Sequence, residues 1–276
     1  MEFVQPTKWR EALEARAERP DALPIWGGTD VMVELNFDRA RPPALLDLTR
    51  VADLAAWERD DGWVRIGAGV SYTRVIAELG SELPGLAMAS RTVGSPQIRN
   101  RGTVGGNVGS SSPAGDALPP LYASGAVVEV ESVRGSRALP IDEFIVGPKR
   151  NVLAEDELIA AVRVPVASGP QQFAKVGTRN AMVIAVCSFA LDLREDGVGT
   201  CIGSAAPTPL RAHEAEAFAA GLDAWDDSAG RRFGELVAQA ASPIDDVRGS
   251  AAYRRHALAV LAARTLKWAW EERRCA

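Results

Sequence analysis

The chain has 276 residues, 47% hydrophobic and 24% charged, a composition typical of a globular protein with a sizeable core. Its formal net charge of -5 disfavours a general electrostatic grip on nucleic acid or on an anionic membrane. The charged N-terminus does not resemble a signal peptide, and no apolar run reaches the ~18 residues of a membrane helix. Cys187, Cys201 and Cys275 lack the spacing of a zinc or iron-sulfur site. We expect a cytoplasmic protein of one or two domains with small-molecule or protein partners.

The first part of the chain predicts a helix followed by a buried strand that runs into a glycine turn. Thr7 is placed to cap a helix from residue 8 to about residue 19, and Pro20 ends it. The strand at 23–26 leads into GGTD, and the apolar VMVEL after it indicates a second helix. Further predicted elements follow in order: a strand at 44–48, a helix at 48–58, a strand at 63–70 and a capped helix at 71–90.

Residues 94–120, GSPQIRNRGTVGGNVGSSSPAGDALPP, are rich in glycine, proline and serine and predict a loop. The elements predicted beyond this loop are a hairpin at 125–141, a strand at 156–165, three strands between 171 and 205, and three helices from Pro207 onward. Asp192, Glu195 and Asp196 are interpreted as a hairpin turn and not as a metal site. We place a domain boundary between Pro165 and Pro170.

Two glycine segments, Gly27–Asp30 and Thr103–Asn107, are candidates for binding an anion. Glycine lets the backbone approach a ligand closely, and consecutive N–H groups form anion-binding concavities. The side chains of Thr29, Thr103 and Asn107 add hydrogen bonds without adding charge. Either segment alone is more often a plain strand-to-helix junction, whereas the two facing each other would suit a diphosphate. Neither has the GxxxxGK[ST] or GxGxxG spacing of the common nucleotide-binding motifs.

Several blocks, in this order, resemble the FAD-carrying medium subunit of the molybdenum hydroxylases. These blocks are GGTDVMVEL at 27–35, LLDL at 45–48, IGAGVSYTRV at 66–75, SPQIRNRGTVGGNVGSSSPAGDALPPL at 95–121, EDELIAAVRVP at 155–165 and FAKVGTRNAM at 173–182. The family includes xanthine dehydrogenases, carbon monoxide dehydrogenase and bacterial N-heterocycle and aldehyde dehydrogenases. The resemblance spans essentially the whole chain, and the central block is its most specific part.

The resemblance implies an α+β fold of two domains. Residues 1–167 would form an FAD-binding domain of the vanillyl-alcohol-oxidase (PCMH) type, with subdomains at about 1–55 and 56–167. Residues 168–276 would form a carbon monoxide dehydrogenase flavoprotein-like domain, in which a three-stranded antiparallel sheet packs on helices.

The resemblance also implies which residues contact FAD. The diphosphate would be held from one side by Pro24, Ile25, Trp26, Gly27, Gly28, Thr29, Asp30 and Val31, and from the other by Thr103, Val104, Gly105, Gly106 and Asn107. Ser110, Gly115 and Asp116 would contact the nucleotide half, and Ile159 would lie against the isoalloxazine. Lys175 would lie near the pyrimidine edge, where its charge would stabilise the anionic reduced flavin. Val93 stands where some relatives have an aromatic residue, so a stacking partner is not expected there.

The implied function is electron transfer in a heterotrimer, with no catalytic residue and no metal in this chain. A small partner with two [2Fe-2S] clusters would deliver electrons, and a large molybdopterin partner would hydroxylate the substrate. Reduced FAD would pass the electrons to NAD, O₂ or a quinone, and the complex would be a dimer of heterotrimers. A purine is the leading substrate because GGTDVMVEL, SAAPTPLRA and RNAM resemble bacterial xanthine dehydrogenase subunits. The alternatives are another N-heterocycle or aldehyde, carbon monoxide dehydrogenase, a stand-alone flavoprotein oxidase or reductase, and a non-enzymatic scaffold.

Overall fold

The computed structural model describes residues 1–275; Ala276, the last residue of the predicted second domain, lies outside them. The chain begins with β1 (Glu2–Val4), α1 (Trp9–Glu18), β2 (Ala22–Ile25), α2 (Val31–Asn36) and β3 (Ala44–Asp47). The three strands form a parallel sheet in the order β1-β3-β2, with Phe3 and Leu23 on either side of Leu45. Helix α1 buries Ala12 and Leu13 in the core of this sheet. Because the strands are parallel, the glycine turn after β2 lies at their carboxyl edge, where ligands bind in such sheets.

A second, antiparallel sheet carries most of the central part of the chain. Its region contains β4 (Trp57–Asp60), β5 (Trp63–Gly67), α3 (Tyr72–Glu78), α4 (Pro84–Thr92), α5 (Pro96–Arg101), α6 (Val104–Ser110), α7 (Leu118–Ala123), β6 (Val127–Ser132), β7 (Gly135–Pro140), α8 (Ile141–Phe144), β8 (Ile145–Gly147), β9 (Arg150–Asn151) and β10 (Leu158–Pro165). Five strands pair in the order β4-β5-β10-β6-β7, and β8 pairs with β9 alone. The alternating burial of β6 shows that one face of this sheet packs on the helices.

The last part of the chain is a three-stranded antiparallel sheet followed by three helices. These elements are β11 (Gln171–Val176), β12 (Cys187–Leu193), β13 (Val198–Gly203), α9 (His213–Ala220), α10 (Asp227–Ala240) and α11 (Ala251–Cys275). All seven residues of β12 are buried because both faces of the sheet are covered. Phe189 packs on Phe233 of α10, whereas Ala190 joins the core formed by the central helices. The second sheet face therefore docks the C-terminal part onto the preceding domain.

The predicted α+β class is confirmed, but several local predictions are wrong. The helix predicted at 71–90 is divided into α3 and α4. Thr7 does not cap α1, since Lys8 is the cap residue and the Thr7 hydroxyl donates to Glu11. The helix predicted at 48–58 is a single 3-10 turn, because Trp57 already pairs in β4. The predicted loop at 94–120 contains α5, α6 and the start of α7. Asp192 lies in β12 and not in the hairpin turn.

Among residues 1–275, no helix combines the length and the apolar character that crossing a bilayer requires.

Candidate functional site

A cavity of about 570 Å³ lies between the parallel sheet, the central helices and a loop of the C-terminal part. This volume is within the range of about 300–1,000 Å³ that is usual for small-molecule and cofactor sites. Both glycine segments line it, as do residues of the start of β10 and the loop between β11 and β12. The structure thus brings together segments that are far apart in the sequence.

The first glycine segment forms the turn between β2 and α2. Gly28 has φ of 73°, a conformation that side-chain-bearing residues rarely adopt. A Cβ on Gly27 would collide with the carbonyl oxygen of Arg101, so only glycine lets this turn lie against the end of α5. The amides of residues 27–31 have no hydrogen-bond partner within the described chain. These free donors lie on the cavity wall and are suited to an anion.

The second glycine segment is the first turn of α6 and not an irregular turn, which corrects the sequence interpretation. Thr103 is the N-cap, and its hydroxyl accepts a hydrogen bond from the Gly106 amide at 2.9 Å. The Gly105 amide has no partner in residues 1–275. A Cβ on Gly105 would lie 2.5 Å from Ala68, so glycine is needed here for close packing of α6. Gly105 and Gly106 both line the cavity, and they do so as part of a helix terminus.

Two buried side-chain oxygens at the cavity, Asn107 Oδ1 and Asp116 Oδ1, have no hydrogen-bond partner among the described residues. A Cβ on Gly115 would lie 2.8 Å from the Asn107 amide group, so the two oxygens belong to one cluster. An unpaired buried polar atom costs about 1–3 kcal/mol, which a ligand donor would recover. The cluster is thus incomplete without a hydrogen-bonding ligand.

Lys175 reaches this cluster from the C-terminal sheet but does not line the cavity. Its ammonium group pairs with Asp116 Oδ2 at 2.6 Å and donates to the carbonyl oxygens of Thr92 and Val183, at 3.0 and 3.2 Å. Both partners are about nine-tenths buried. Burial raises the pKa of Asp116, and the Lys175 charge opposes that shift. The pair fixes β11 against the end of α4 and holds the loop that contains Val183.

This pair makes two of the sequence-based roles incompatible. Asp116 was assigned to the nucleotide half of FAD and Lys175 to the pyrimidine edge of the flavin, yet the two side chains touch. Val93, which the resemblance places beside the flavin, follows directly on Thr92, whose carbonyl accepts a hydrogen bond from Lys175. Asp116, Lys175 and Val93 therefore belong to one end of the cavity, which we call the Asp116 end.

Sixteen of the predicted site residues line the cavity, and Val104 and Lys175 do not. Val104 is fully buried in the core beneath α6. Ile159 lies on the wall below α6, where its side chain would be 3.4 Å from a Cβ on Gly109. The structure therefore gathers the predicted residues in one place, although it does not itself assign them to parts of a ligand.

Several wall residues were not found from the sequence, among them Arg16, Tyr72 and Val183. Burial raises the pKa of Tyr72, and the carboxylates of Asp116 and Asp30 raise it further, so its phenol stays protonated. Val183 lies in the loop between β11 and β12, a stretch that the sequence predicted as strand. No local pattern marks these residues, because tertiary packing alone brings them to the cavity.

Backbone from two glycine segments lines one cavity of about 570 Å³, and this arrangement is suited to an extended, phosphate-containing cofactor. The free amides suit a diphosphate, and the unpaired oxygens suit the donor groups of a heterocycle or sugar. These features fit FAD.

Comparison with known protein families leads to the same class. Residues 1–167 match the FAD binding domain in molybdopterin dehydrogenase, and residues 172–269 match the CO dehydrogenase flavoprotein C-terminal domain. The first match alone covers more than half of the chain. The chain belongs to the family of FAD-binding subunits of the molybdenum hydroxylases, and FAD is its cofactor class.

Individual relatives cover nearly the whole chain. The chain is 31% identical to the nicotine 6-hydroxylase medium subunit of Paenarthrobacter nicotinovorans, over 96% of this chain and 95% of that protein. It is 32% identical to the xanthine dehydrogenase FAD-binding subunit of Escherichia coli O157:H7, over 89% and 88%. A chain of the carbon monoxide dehydrogenase from Hydrogenophaga pseudoflava has a TM-score of 0.92 and 28% identity, over 99% and 98%. This likeness confirms the predicted fold class.

Proposed function

We propose that this chain is the electron-transfer subunit of a heterotrimeric molybdenum hydroxylase and holds FAD in the cavity of about 570 Å³. The observation that carries the proposal is that both glycine segments face this one cavity beside the unpaired oxygens of Asn107 and Asp116. Membership of the family supports the cofactor, and the medium-subunit names of relatives support the heterotrimer.

In this proposal the glycine segments hold the diphosphate with their free amides. The Asp116 end receives the isoalloxazine, because it contains Lys175 and Val93, which the resemblance places beside the flavin. Asp116 is then near the flavin and not near the nucleotide half, to which the resemblance assigns it. Asn107 accepts a hydrogen bond from the part of the ligand that lies between the glycine segments and the Asp116 end. Bound FAD supplies the redox chemistry, since it exchanges electrons singly or as a hydride.

The residues at the Asp116 end set the electrostatic environment of the cofactor and provide no general acid or base. Lys175 lies so close to Asp116 that, beyond the pair, the field is that of a dipole and not of an isolated cation. We expect the pair to stabilise an anionic ligand less than a lone lysine would. The protonated Tyr72 hydroxyl is a neutral donor at the same wall.

Electrons would enter from the [2Fe-2S] clusters of a small partner and leave to NAD, O₂ or a quinone. The substrate would be hydroxylated at the molybdopterin of a large partner, in a cytoplasmic dimer of heterotrimers. Relatives named for nicotine and xanthine favour a purine or another N-heterocycle as the substrate. Carbon monoxide is a second candidate because the structure also resembles a carbon monoxide dehydrogenase chain.

Purification of the tagged chain from its native cells, with metal and flavin analysis, tests the proposal. We expect two further polypeptides, with iron and molybdenum present in fixed ratio to FAD. A chain that purifies alone with FAD and oxidises a small molecule by itself would contradict the heterotrimer and favour the stand-alone flavoprotein. Oxidation assays with purines, other N-heterocycles and carbon monoxide then distinguish the substrate classes.

A further inference from the structure

Arg16 is a cavity residue that the family resemblance did not assign to the cofactor. It lies in the last turn of α1, and its side chain extends to the cavity wall. One terminal nitrogen, Nη1, donates to the carbonyl oxygens of Pro20 and Ala22, at 3.1 and 2.7 Å. These bonds fix the guanidinium group beside the start of β2.

The rest of this guanidinium group is not satisfied by the protein. Neither Nε nor Nη2 has a hydrogen-bond partner among residues 1–275. Nε is buried, whereas Nη2 is not closed off. Burial lowers the pKa of Arg16, although an arginine remains charged at neutral pH. Nη2 is thus a charged donor without a protein acceptor, and a ligand acceptor in the cavity could pair with it.

The nearby carboxylate does not serve as the acceptor. Glu157 also lines the cavity, but Arg137 binds both of its oxygens, at 2.7 and 2.8 Å. Its Oε2 also accepts the Ala154 amide, at 2.8 Å. Glu157 is therefore engaged, and Arg16 remains available to a ligand.

Apolar side chains line the cavity on the side of β2 and of the segment before β10, to which Arg16 is close. Arg16 bonds Ala22, which precedes Leu23, and its charge is felt by Glu155 and Asp156. The cavity-lining residues of this part are Leu23, Leu48, Leu153, Glu157 and Leu158, and with Arg16 they form what we call the Arg16 end. Strand β2 leads from Leu23 at this end to Gly27 at the glycine turn, a distance of about 13 Å in extended chain. The Asp116 end is built by other elements, α4, the loop before α7 and the C-terminal sheet. A ligand that occupies both ends must therefore span the glycine segments.

We propose that Arg16 is a specificity-determining residue that recognises the adenine base at the end of the cavity away from the flavin, an inference that rests on the proposed function. An apolar slot with one directional donor suits a planar heterocycle that carries acceptor nitrogens. A second diphosphate is a poorer match because the free amides that suit it lie at the glycine segments. In this arrangement Nη2–H donates to a ring nitrogen of adenine while the leucine side chains pack on the ring faces. Arg16 would thus favour FAD over FMN.

The test measures binding of FAD and FMN to the full chain after removal of flavin, by quenching of flavin fluorescence. Arg16→Met should weaken FAD binding by about 10- to 100-fold, as expected for a hydrogen bond to a charged group. FMN binding should change by less than about twofold, since FMN has no adenine. Arg10→Met is the matched control, because Arg10 lies on the same helix and pairs only with the exposed Glu14. It should leave both affinities unchanged.

Three results would overturn the proposal. Unchanged FAD affinity in Arg16→Met would show that Arg16 does not contact the cofactor, and equal losses for FAD and FMN would place the flavin at this end. If Arg16→Met does not fold, Arg16→Gln takes its place in the experiment, because its side-chain amide can still donate to the carbonyl groups of Pro20 and Ala22. In the wild-type chain, ADP should displace FAD at least tenfold better than pyrophosphate, and equal competition would also refute adenine recognition. A wild-type chain that binds no FAD would instead refute the proposed function itself.

Discussion

Replacing Lys175 by methionine isolates the buried ion pair at the Asp116 end. The substitution keeps the length of the side chain but removes the ammonium group and its bonds to Asp116, Thr92 and Val183. The Asp116 carboxylate is then left buried and uncompensated. Loss of one partner from a buried pair costs about 3–5 kcal/mol, so we expect the free energy of unfolding to fall by about that amount.

The assay is urea unfolding of the flavin-free chain at pH 7, with Lys149→Met as the control. Lys149 pairs with Glu34 at the surface, and such a pair contributes only about 0.2–1 kcal/mol. Lys175→Met together with Asp116→Asn should be more stable than Lys175→Met alone, because no buried charge remains. If Lys175→Met costs no more than Lys149→Met, the pair is not buried as described.

The cost of Lys175→Met should depend on pH with a defined sign. Burial raises the pKa of Asp116, and without Lys175 the strongest opposing influence on this shift is lost. The folded variant then binds the proton more tightly than the unfolded chain, so its stability is retained at low pH and lost as pH rises. The penalty relative to wild type should be smaller at pH 5 than at pH 8, and a larger penalty at pH 5 would contradict the argument.

Two further predictions concern the glycine turn and the buried Asp192 of β12. Gly27→Ala should lower the free energy of unfolding by about 1–3 kcal/mol and the flavin content by more than tenfold, since its methyl collides with the backbone of Arg101. Gly197→Ala is the control, because a Cβ there meets nothing within 4 Å, and it should change neither the stability nor the flavin content. Equal effects of the two variants in equilibrium unfolding and flavin analysis would contradict the prediction. Burial raises the pKa of Asp192 from 3.8 to about 6, so the folded chain holds this proton more tightly than the unfolded chain does. Between pH 4 and pH 7 the free energy of unfolding of the wild type, measured in urea, should therefore fall by about 2–3 kcal/mol relative to that of Asp192→Asn. A pH-independent difference would refute this.

The turn at Gly27 and Gly28 could be predicted from the sequence, because local chemistry determines its backbone conformation. Gly27 and Gly28 follow a buried strand, and only glycine suits the close approach and the positive φ that the turn requires. The secondary structure at 94–120 was missed because helix propensity is low for a run of glycines, prolines and serines. Tertiary contacts override that propensity, since α6 is capped by Thr103 and packs on the core through Val104 and Val108.

The assembly of the site was harder to predict, because its walls come from distant segments. Arg16 is an ordinary helix position in the sequence, and only the fold shows that its side chain reaches the cavity. The contact of Asp116 with Lys175 joins residues from the two sides of the predicted domain boundary. No spacing in the sequence encodes that contact, and the conflict between their predicted roles became visible only with the fold.

The most direct test of the account is the flavin content of the purified full-length chain after incubation with FAD and removal of unbound cofactor. We expect one tightly bound flavin per chain, with absorbance near about 450 nm. Denaturation should release FAD and not FMN. A colourless chain with an intact fold, or a chain that binds FMN as tightly as FAD, would contradict an FAD site built on the two glycine segments.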